Sequence, residues 1–189
     1  LFQFDMRSNK YIDANQYTYN LPTTAYHSCL AVSSISKLLY VIGGKDGDDG
    51  STLDTLQSYC IGDDTWAILQ QMEIGVSSAG CSLSNDEQYI YTFGGLSTLA
   101  SDHIQRYNIS NDTWKIIDTT LNFARYAIEC QLFGGDFIYC IGGRDYSDIA
   151  LRSVEIFDII TEKILPTMIY LNDARGYHTT TVYHNTLFV

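Results

Sequence analysis

The stretch YVIGGKDGDDG, residues 40–50, places a glycine doublet and a lysine ahead of several aspartates. Glycines before a lysine can hold phosphate through backbone N–H groups, and closely spaced aspartates can hold calcium. The phosphate motif needs another glycine five residues earlier, where the sequence has Leu39, and Asp46 after the lysine would repel the anion. A calcium loop starting at Asp46 would put Gly50 and Gln57 where carboxylates are required. The sequence favours a solvated acidic loop, with an irregular calcium site as the alternative.

The histidines and cysteines do not form a recognisable catalytic or metal-binding pattern. His27 and His178 are assigned to equivalent positions of two repeats, and His184 follows six residues after His178 without a third ligand. The five cysteines form no CxxC pair, and an odd number argues against a disulfide framework. We therefore predict free buried thiols, a reducing and cytoplasmic location, and no catalytic, metal-binding or cofactor-binding residues.

Composition restricts the class of partner. The chain has 189 residues, with 22 acidic and 11 basic side chains and a formal net charge of −11. This charge disfavours binding to nucleic acid and to anionic membranes and favours basic partners. The 15 tyrosines and only two prolines favour strands over helices, and no apolar run is long enough to predict a membrane-spanning helix.

An internal repeat organises almost the whole chain. The segments LYVIGG (39–44), IYTFGG (90–95) and IYCIGG (138–143) place their first glycines 51 and 48 residues apart. An aromatic residue and then a tryptophan follow two of the doublets, and in the third repeat we assign Lys163 to the tryptophan position. Near the start of the chain, Phe4 and Tyr11 match the same two positions.

The cysteines also follow this repeat. Cys29, Cys81 and Cys130 lie 14, 13 and 12 residues before the doublet and are assigned to equivalent positions, which predicts that they are not bridged to one another. Each repeat reads as four short antiparallel strands separated by turn residues, which is typical of a propeller blade. The predicted boundaries are the end of a blade at 1–15, blades at 16–69, 70–118 and 119–166, and the start of another at 167–189.

These repeats resemble the kelch motif of kelch β-propellers. The matched residues are Gly43, Gly44, Tyr59, Trp66, Gly94, Gly95, Tyr107, Trp114, Gly142, Gly143 and Phe157. Arg125 and Arg175 also match the first strand, whereas Lys163 and Val76 depart from the pattern. The resemblance implies that the aromatic residue and the tryptophan pack together against the glycine doublet. We expect the glycines to adopt positive φ or to allow close approach of another backbone segment.

In four-stranded meanders, the loops after the second strands share one face with the connections between blades. That face should carry residues 45–55, 96–103 and 144–152, with the connections near 70–77 and 118–124. Variable loops on a rigid scaffold are common recognition sites. The predicted partner-binding residues are Lys45, Asp46, Asp48, Asp49, Asp102, His103, Arg144, Asp145, Asp148 and Arg152.

The resemblance implies a non-catalytic module that binds a protein or peptide, and the acidic residues favour a basic one. Two alternatives remain open at this point. One is a substrate-recruiting adaptor of a ubiquitin ligase, and the other is a carbohydrate-active or copper enzyme built on the same propeller.

Overall fold

The computed structural model describes residues 3–5, 10–12, 21–60, 62–167 and 169–189. These residues contain strands and turns but no helix, and all of their strand pairs are antiparallel. No helix long and apolar enough to cross a membrane is found in this part of the chain. The expected all-β class is confirmed.

Three four-stranded meanders make up most of the structure, and we call them the first, second and third blades. The first blade contains β4 (Cys29–Val32), β5 (Leu38–Ile42), β7 (Leu56–Cys60) and β8 (Thr65–Ile68). The second contains β9 (Gly80–Leu83), β10 (Tyr89–Phe93), β11 (Ile104–Asn108) and β12 (Thr113–Ile116). The third contains β13 (Glu129–Leu132), β14 (Phe137–Ile141), β15 (Ser153–Asp158) and β16 (Lys163–Ile164), and β17 (Ile169–Tyr170) also pairs with β15.

Three smaller pairs complete the sheets of the described residues. One hairpin joins β1 (Gln3–Asp5) to β2 (Lys10–Ile12), and another joins β18 (Thr181–Tyr183) to β19 (Thr186–Phe188). The third pair is β3 (Ala25–Tyr26) with β6 (Lys45–Asp46), which ties the loop of the first blade to the chain entering that blade.

The aromatic landmarks of the repeat lie directly opposite each other on the third and fourth strands. Tyr59 pairs with Trp66 and Tyr107 with Trp114, with ring centroids 5.0 and 5.3 Å apart. In the backbone register of β1 with β2, Phe4 is paired with Tyr11. The predicted packing of aromatic residue on tryptophan is therefore confirmed for the two complete pairs.

The third repeat corrects one assignment. Phe157 pairs with Ile164, whereas Lys163 lies opposite Asp158. Because side chains alternate along a strand, Ile164 points into the core and contacts the apolar cluster, while Lys163 is exposed. Ile164, and not Lys163, replaces the third tryptophan.

The glycine doublets join each blade to the next. In all three doublets both glycines have positive φ, as expected. The second glycine of each donates its N–H to a carbonyl in the next connection, over 2.8 Å in each case: Gly44 to Val76, Gly95 to Arg125 and Gly143 to Arg175. A Cβ on the first glycine would overlap that same carbonyl, so the atom closest to this position is a backbone oxygen of the following repeat and not an aromatic ring.

The apolar cores lie between blades. Among the described residues, one cluster combines Ala31, Tyr40, Ile42 and Leu56 of the first blade with Cys81, Ile90, Tyr107 and Trp114 of the second. A second cluster combines Tyr91, Phe93 and Ile104 of the second blade with Ile138, Cys140 and Phe157 of the third. Trp114 also donates its Nε1–H to the Gln70 carbonyl over 2.9 Å, which fixes the second blade against the preceding connection.

The cysteines overturn another expectation, because Cys29 and Cys81 form a disulfide between the first strands of two blades, with their Cα atoms 6.0 Å apart. The two are not equivalent in the repeat. Cys29 pairs with Ile42, directly before the doublet, whereas Cys81 pairs with Thr92, one residue further from its doublet. A shift of one residue turns a side chain to the opposite face of the sheet. Cys29 therefore faces the second blade and Cys81 faces the first.

This bridge also removes one premise of the predicted compartment. Disulfides are rare in reducing compartments, so the cysteines no longer support a cytoplasmic location, which stays a prediction.

The histidines show the same one-residue shift in the repeat as Cys29 and Cys81. In the connection before the first blade, the residue with positive φ that hydrogen-bonds to another connection is His27. In the connection before β18 it is Tyr177. His178 therefore corresponds to Ser28, and the expected equivalence of His27 and His178 is wrong.

Glu87, in the turn between β9 and β10, clamps the first blade to the second. Its carboxylate accepts hydrogen bonds from the hydroxyls of Ser33 and Ser34, over 2.6 and 2.7 Å, and from the N–H groups of Ser34 and Ile35. These bonds, led by that of Ser33, lower the pKa of Glu87 from 4.5 to about 2.

We expect the clamp to make stability depend on pH. Because the folded pKa lies below the unfolded one, its contribution is present above pH 4.5 and is lost as the pH falls toward 2. Glu87→Gln should therefore lower the free energy of unfolding by about 1 kcal/mol at pH 7 and by less at pH 3. Urea denaturation at both pH values measures this difference. Glu73→Gln, at an exposed position, is the control, and an equal loss at both pH values would contradict the clamp.

Candidate partner-binding face

The connections between blades are joined by one continuous series of backbone hydrogen bonds. Ser78 donates to the His27 carbonyl, Ala127 to Ser78 and Tyr177 to Ala127, over 2.8, 2.8 and 3.0 Å. All four residues have φ between 51° and 57°, a conformation that non-glycine residues adopt only where surrounding contacts hold it. The same backbone step therefore recurs at each blade and sets the spacing of the loops beside it.

The three long loops are fastened to these connections, and together they form what we call the loop face: residues 45–55, 96–103 and 144–152 with the adjoining connections. Bridges join Lys45 to Tyr26, Leu96 to Ser77 and Arg144 to Tyr126. At the far end of each loop, a carbonyl accepts from the following connection, as Asp54 does from Met72, Asp102 from Leu121 and Arg152 from Leu171. The loops and connections lie together, in the arrangement that the meander predicts.

In the first loop, two of the aspartates shape the loop itself. The Asp46 carboxylate accepts from the Asp48 N–H over 2.7 Å, and that of Asp49 accepts from the Ser51 N–H over 2.7 Å. Hydrogen bonds from Ser51 also hold the pKa of Asp49 below its usual value. Aspartates that accept from the backbone two residues later stabilise turns. Within the described residues, the carboxylate of Asp48 has no such partner.

In the second loop, Asp102 and His103 are adjacent and solvent-accessible, with the Asp102 Oδ1 and His103 Nδ1 atoms 3.6 Å apart. Leu99, at the tip of this loop, is 69% exposed. The loop therefore presents both a carboxylate and an apolar side chain to solvent.

The third loop contains an internal ion pair. The Asp148 carboxylate lies 3.0 Å from Arg144 and also accepts a hydrogen bond from the Tyr126 hydroxyl. Tyr126 and then Arg144 lower the pKa of Asp148, and the bond to this carboxylate raises the pKa of Tyr126 to about 12. Asp145 accepts from the N–H groups of Ser147 and Ile149 over 2.8 and 3.0 Å. Most of the charge in this loop is thus used to hold its shape.

Sequence reasoning missed an aromatic cluster on the loop face. Tyr26, His27, Tyr126 and Tyr177 form a connected set, with neighbouring ring centroids 5.1–6.4 Å apart. Arg144 extends this set by lying over the Tyr177 ring, 5.9 Å from its centroid. The sequence signal was the recurrence of tyrosine before the first strands, in AYHSC, RYAIE and GYHTT.

An apolar groove lies at the edge of this face, next to Arg152. Its lining includes Phe123, Val154, Leu165, Ile169 and Tyr170. Arg152 lies over the Tyr170 ring, 5.3 Å from its centroid. Arg152 thus carries its positive charge to the rim of an apolar surface.

A buried ion pair supports the third blade beneath the loop face. Arg125 is fully buried and its guanidinium lies 2.5 Å from the Glu155 carboxylate. It also donates to the carbonyls of Phe123, Gly142 and Ser153, while Glu155 accepts from the N–H groups of Asn122 and Phe123. The pair therefore fixes the connection between the second and third blades.

The other blades have neutral residues in the places of this pair. The second blade has Val76 and Gln105, and Gln105 exchanges two hydrogen bonds of 2.9 Å with the backbone of Ile74. In the first blade Gln57 likewise exchanges two hydrogen bonds, of 2.9 and 3.2 Å, with the backbone of Thr23. A buried arginine therefore occurs together with a glutamate, and an aliphatic side chain together with a glutamine.

Comparison with known proteins agrees with this architecture. The sequence model of the KLHDC2/KLHL20/DRC7 Kelch-repeats domain matches residues 1–189. The chain belongs to the kelch-repeat family. The family expected from the glycine doublets and the paired aromatic residues is therefore confirmed.

Several curated proteins are similar over part of their length. Kelch repeat and BTB domain-containing protein 2 of cowpox virus (strain Brighton Red) is 34% identical over 115 residues, covering 59% of this chain and 20% of that protein. A kelch repeat-containing protein of Dictyostelium discoideum is 30% identical over 147 residues, covering 68% of this chain and 21% of that protein. A RING finger domain and kelch repeat-containing protein of the same organism is 26% identical over 129 residues, covering 67% and 12%. The chain thus matches about a fifth or less of the length of these relatives.

Proposed function

We propose that this kelch-repeat chain is a protein-interaction module whose loop face binds a lysine- or arginine-rich segment of another protein, without catalysis. The observation that carries the proposal is that some aspartates of the loop face hold the loops in shape while others are accessible to a partner. Asp46, Asp49 and Asp145 brace the loops, whereas Asp48 and Asp102 offer accessible carboxylates on loops that are already held in place. Pre-organised loops lose little conformational entropy on binding.

The remaining features of the face suit a peptide of mixed character. The aromatic cluster of Tyr26, His27, Tyr126 and Tyr177 and the groove beside Arg152 offer apolar contact area. Carboxylates around such a surface accelerate association with a basic partner and select against acidic ones. The predicted basic residues Lys45, Arg144 and Arg152 would restrict where the partner's acidic residues can lie.

Charge reversal tests this function. Asp48→Lys with Asp102→Lys should abolish capture of partners that the wild-type chain retains from a cell extract, as measured by quantitative mass spectrometry. These two positions avoid the aspartates that brace the loops. The matched control, Asp63→Lys with Asp136→Lys, makes the same change of charge in turns outside the loop face, next to β8 and β14. Equal capture by both variants would refute a role for the loop-face carboxylates.

We propose, as a second candidate, that the protein recruits substrates to a ubiquitin ligase. The observation that favours it is the presence of BTB or RING finger domains, beside kelch repeats, in the names of its relatives. Partners captured by the loop face should then gain ubiquitin when the full-length protein is expressed, and the Asp48→Lys, Asp102→Lys variant should prevent this. Binding without any change in ubiquitination would leave the interaction module and exclude the adaptor.

A further inference from the structure

Cys130 and Cys140 form a buried pair of cysteines within the third blade. They lie directly opposite each other in β13 and β14, and their sulfur atoms are 2.7 Å apart. Both are free thiols, and their exposed fractions are 4% and 0%. They belong to the core between the second and third blades.

The geometry of this pair suits a covalent bond. Directly paired residues of antiparallel strands have Cα atoms about 4.5–5.5 Å apart, within the range of about 4.4–6.8 Å found in disulfides. No group of three or more metal-binding side chains occurs in the described part of the chain, so a shared metal ion does not account for the two sulfurs.

The neighbouring blades show that the fold does not need two cysteines here. The equivalent pairs are Leu30 with Val41 in the first blade and Cys81 with Thr92 in the second. An aliphatic pair and a cysteine–threonine pair therefore satisfy the same two strand positions. The second cysteine of the third blade adds a chemical possibility, not a packing requirement.

We propose that Cys130 and Cys140 are a second disulfide site, oxidised by small-molecule disulfides such as glutathione disulfide. One cysteine, as its thiolate, attacks a sulfur of glutathione disulfide, which forms a mixed disulfide and releases the first glutathione. The second cysteine then attacks the protein sulfur of that mixed disulfide and releases the second glutathione. The two cysteines lose two electrons and two protons in total, and one glutathione disulfide becomes two glutathione molecules.

Burial determines how fast this site reacts. Desolvation and the neighbouring Cys140 raise the pKa of the Cys130 thiol, which keeps the reactive thiolate scarce in the closed fold. The exchange therefore requires β13 and β14 to open transiently. Once formed, the disulfide would join the first and second strands of the third blade and oppose that opening.

Thiol counting tests the proposal. The purified chain is incubated with glutathione disulfide in dilute urea, then denatured and alkylated with iodoacetamide, and its mass and disulfide-linked peptides are determined. With Cys29 bridged to Cys81, three cysteines are free before oxidation, and neither Cys130 nor Cys140 should be alkylated afterwards. A peptide linking Cys130 to Cys140 is the expected product. Full alkylation of both cysteines, or linkage of either to a different cysteine, would overturn the proposal.

Two variants make the test specific. Cys140→Thr copies the Cys81–Thr92 pair of the second blade and should prevent the new link while the chain remains folded. Cys60→Ala should leave the link unchanged. In addition, oxidation should raise the urea midpoint of the wild-type chain but not that of Cys140→Thr. An equal rise in both would assign the effect to another cysteine and contradict the proposal.

Discussion

Glu155→Gln is expected to lower the free energy of unfolding by about 3–5 kcal/mol, because it leaves a buried arginine without its counter-charge. The Arg125 side chain is fully buried and that of Glu155 is 5% exposed, so water cannot replace the lost carboxylate. The other acceptors of Arg125 are neutral, namely three carbonyl groups and the Ser153 hydroxyl.

The hydrogen bonds of the variant would also be mismatched. The carboxylate of Glu155 now accepts from Arg125 and from the N–H groups of Asn122 and Phe123. A glutamine would direct an NH₂ group at some of these donors. The Gln105 side-chain NH₂ donates to the Ile74 carbonyl, and the carbonyl in the same position of the third blade is that of Phe123. Arg125 already donates to the Phe123 carbonyl over 3.1 Å.

The second blade supplies the compensating change. Arg125→Val combined with Glu155→Gln reproduces the Val76–Gln105 arrangement, in which the glutamine bonds the backbone of the connection. We expect the double variant to be more stable than either single variant, with a coupling energy of about 2–3 kcal/mol from chemical denaturation. Additive losses in this double-mutant cycle would show that the two side chains do not act as a pair.

Gly94→Val is expected to cost more than about 3 kcal/mol and to loosen the contact between the second and third blades. Gly94 has φ of +60°, and a Cβ there would overlap the Arg125 carbonyl. This carbonyl is the acceptor for the Gly95 N–H, over 2.8 Å, so it cannot move away without breaking the bond that joins the blades. Thermal and urea denaturation measure the loss.

Gly134→Val separates backbone strain from the clash. Gly134 also has positive φ, +74°, but no atom lies within 4 Å of its Cβ position. It should therefore show the strain alone, about 1–2 kcal/mol. If the two variants were equally destabilised, the close approach of the next repeat would contribute nothing to stability.

The sequence predicts the repeat because its landmarks are fixed by local geometry. Each doublet needs glycines because both of its residues have positive φ, and in two repeats an aromatic residue precedes a tryptophan by seven positions. These residue types recur at regular intervals, which is why the Tyr59–Trp66 and Tyr107–Trp114 pairs could be assigned. Phe157 also precedes Ile164 by seven positions, but an isoleucine cannot be recognised in the sequence as a replacement for tryptophan. The position was therefore assigned to Lys163, one residue too early.

The cysteine bridge could not be predicted by counting residues to the doublet. Cys81 and Cys130 lie 13 and 12 residues before it but share one register, because the intervening turn has five residues at 84–88 and four at 133–136. Cys29 lies 14 residues before its doublet across another five-residue turn, so its difference from Cys81 is a true shift of register. Interval counts cannot separate these two cases, and only strand pairing does.

The candidate site was predictable in position but not in the role of each residue. Strand order alone places residues 45–55, 96–103 and 144–152 beside the connections, and the structure has them there. Which aspartates are free depends on hydrogen bonds within each loop, such as that from Ser147 to Asp145. Arg125 and Glu155 lie 30 positions apart in the sequence, so their pairing could be recognised only once the fold was known.

The central claim is that the loop face binds the partner protein. Amide hydrogen exchange tests this claim most directly when the free chain is compared with the chain bound to a partner that the wild type captures and the Asp48→Lys, Asp102→Lys variant does not. The account predicts slower amide exchange in the loops at 45–55, 96–103 and 144–152 when the partner is bound. It predicts unchanged exchange in the turns at 33–37, 84–88 and 133–136, which join the first and second strands outside the loop face. Protection of those turns with no change in the three loops would contradict the loop face as the binding surface.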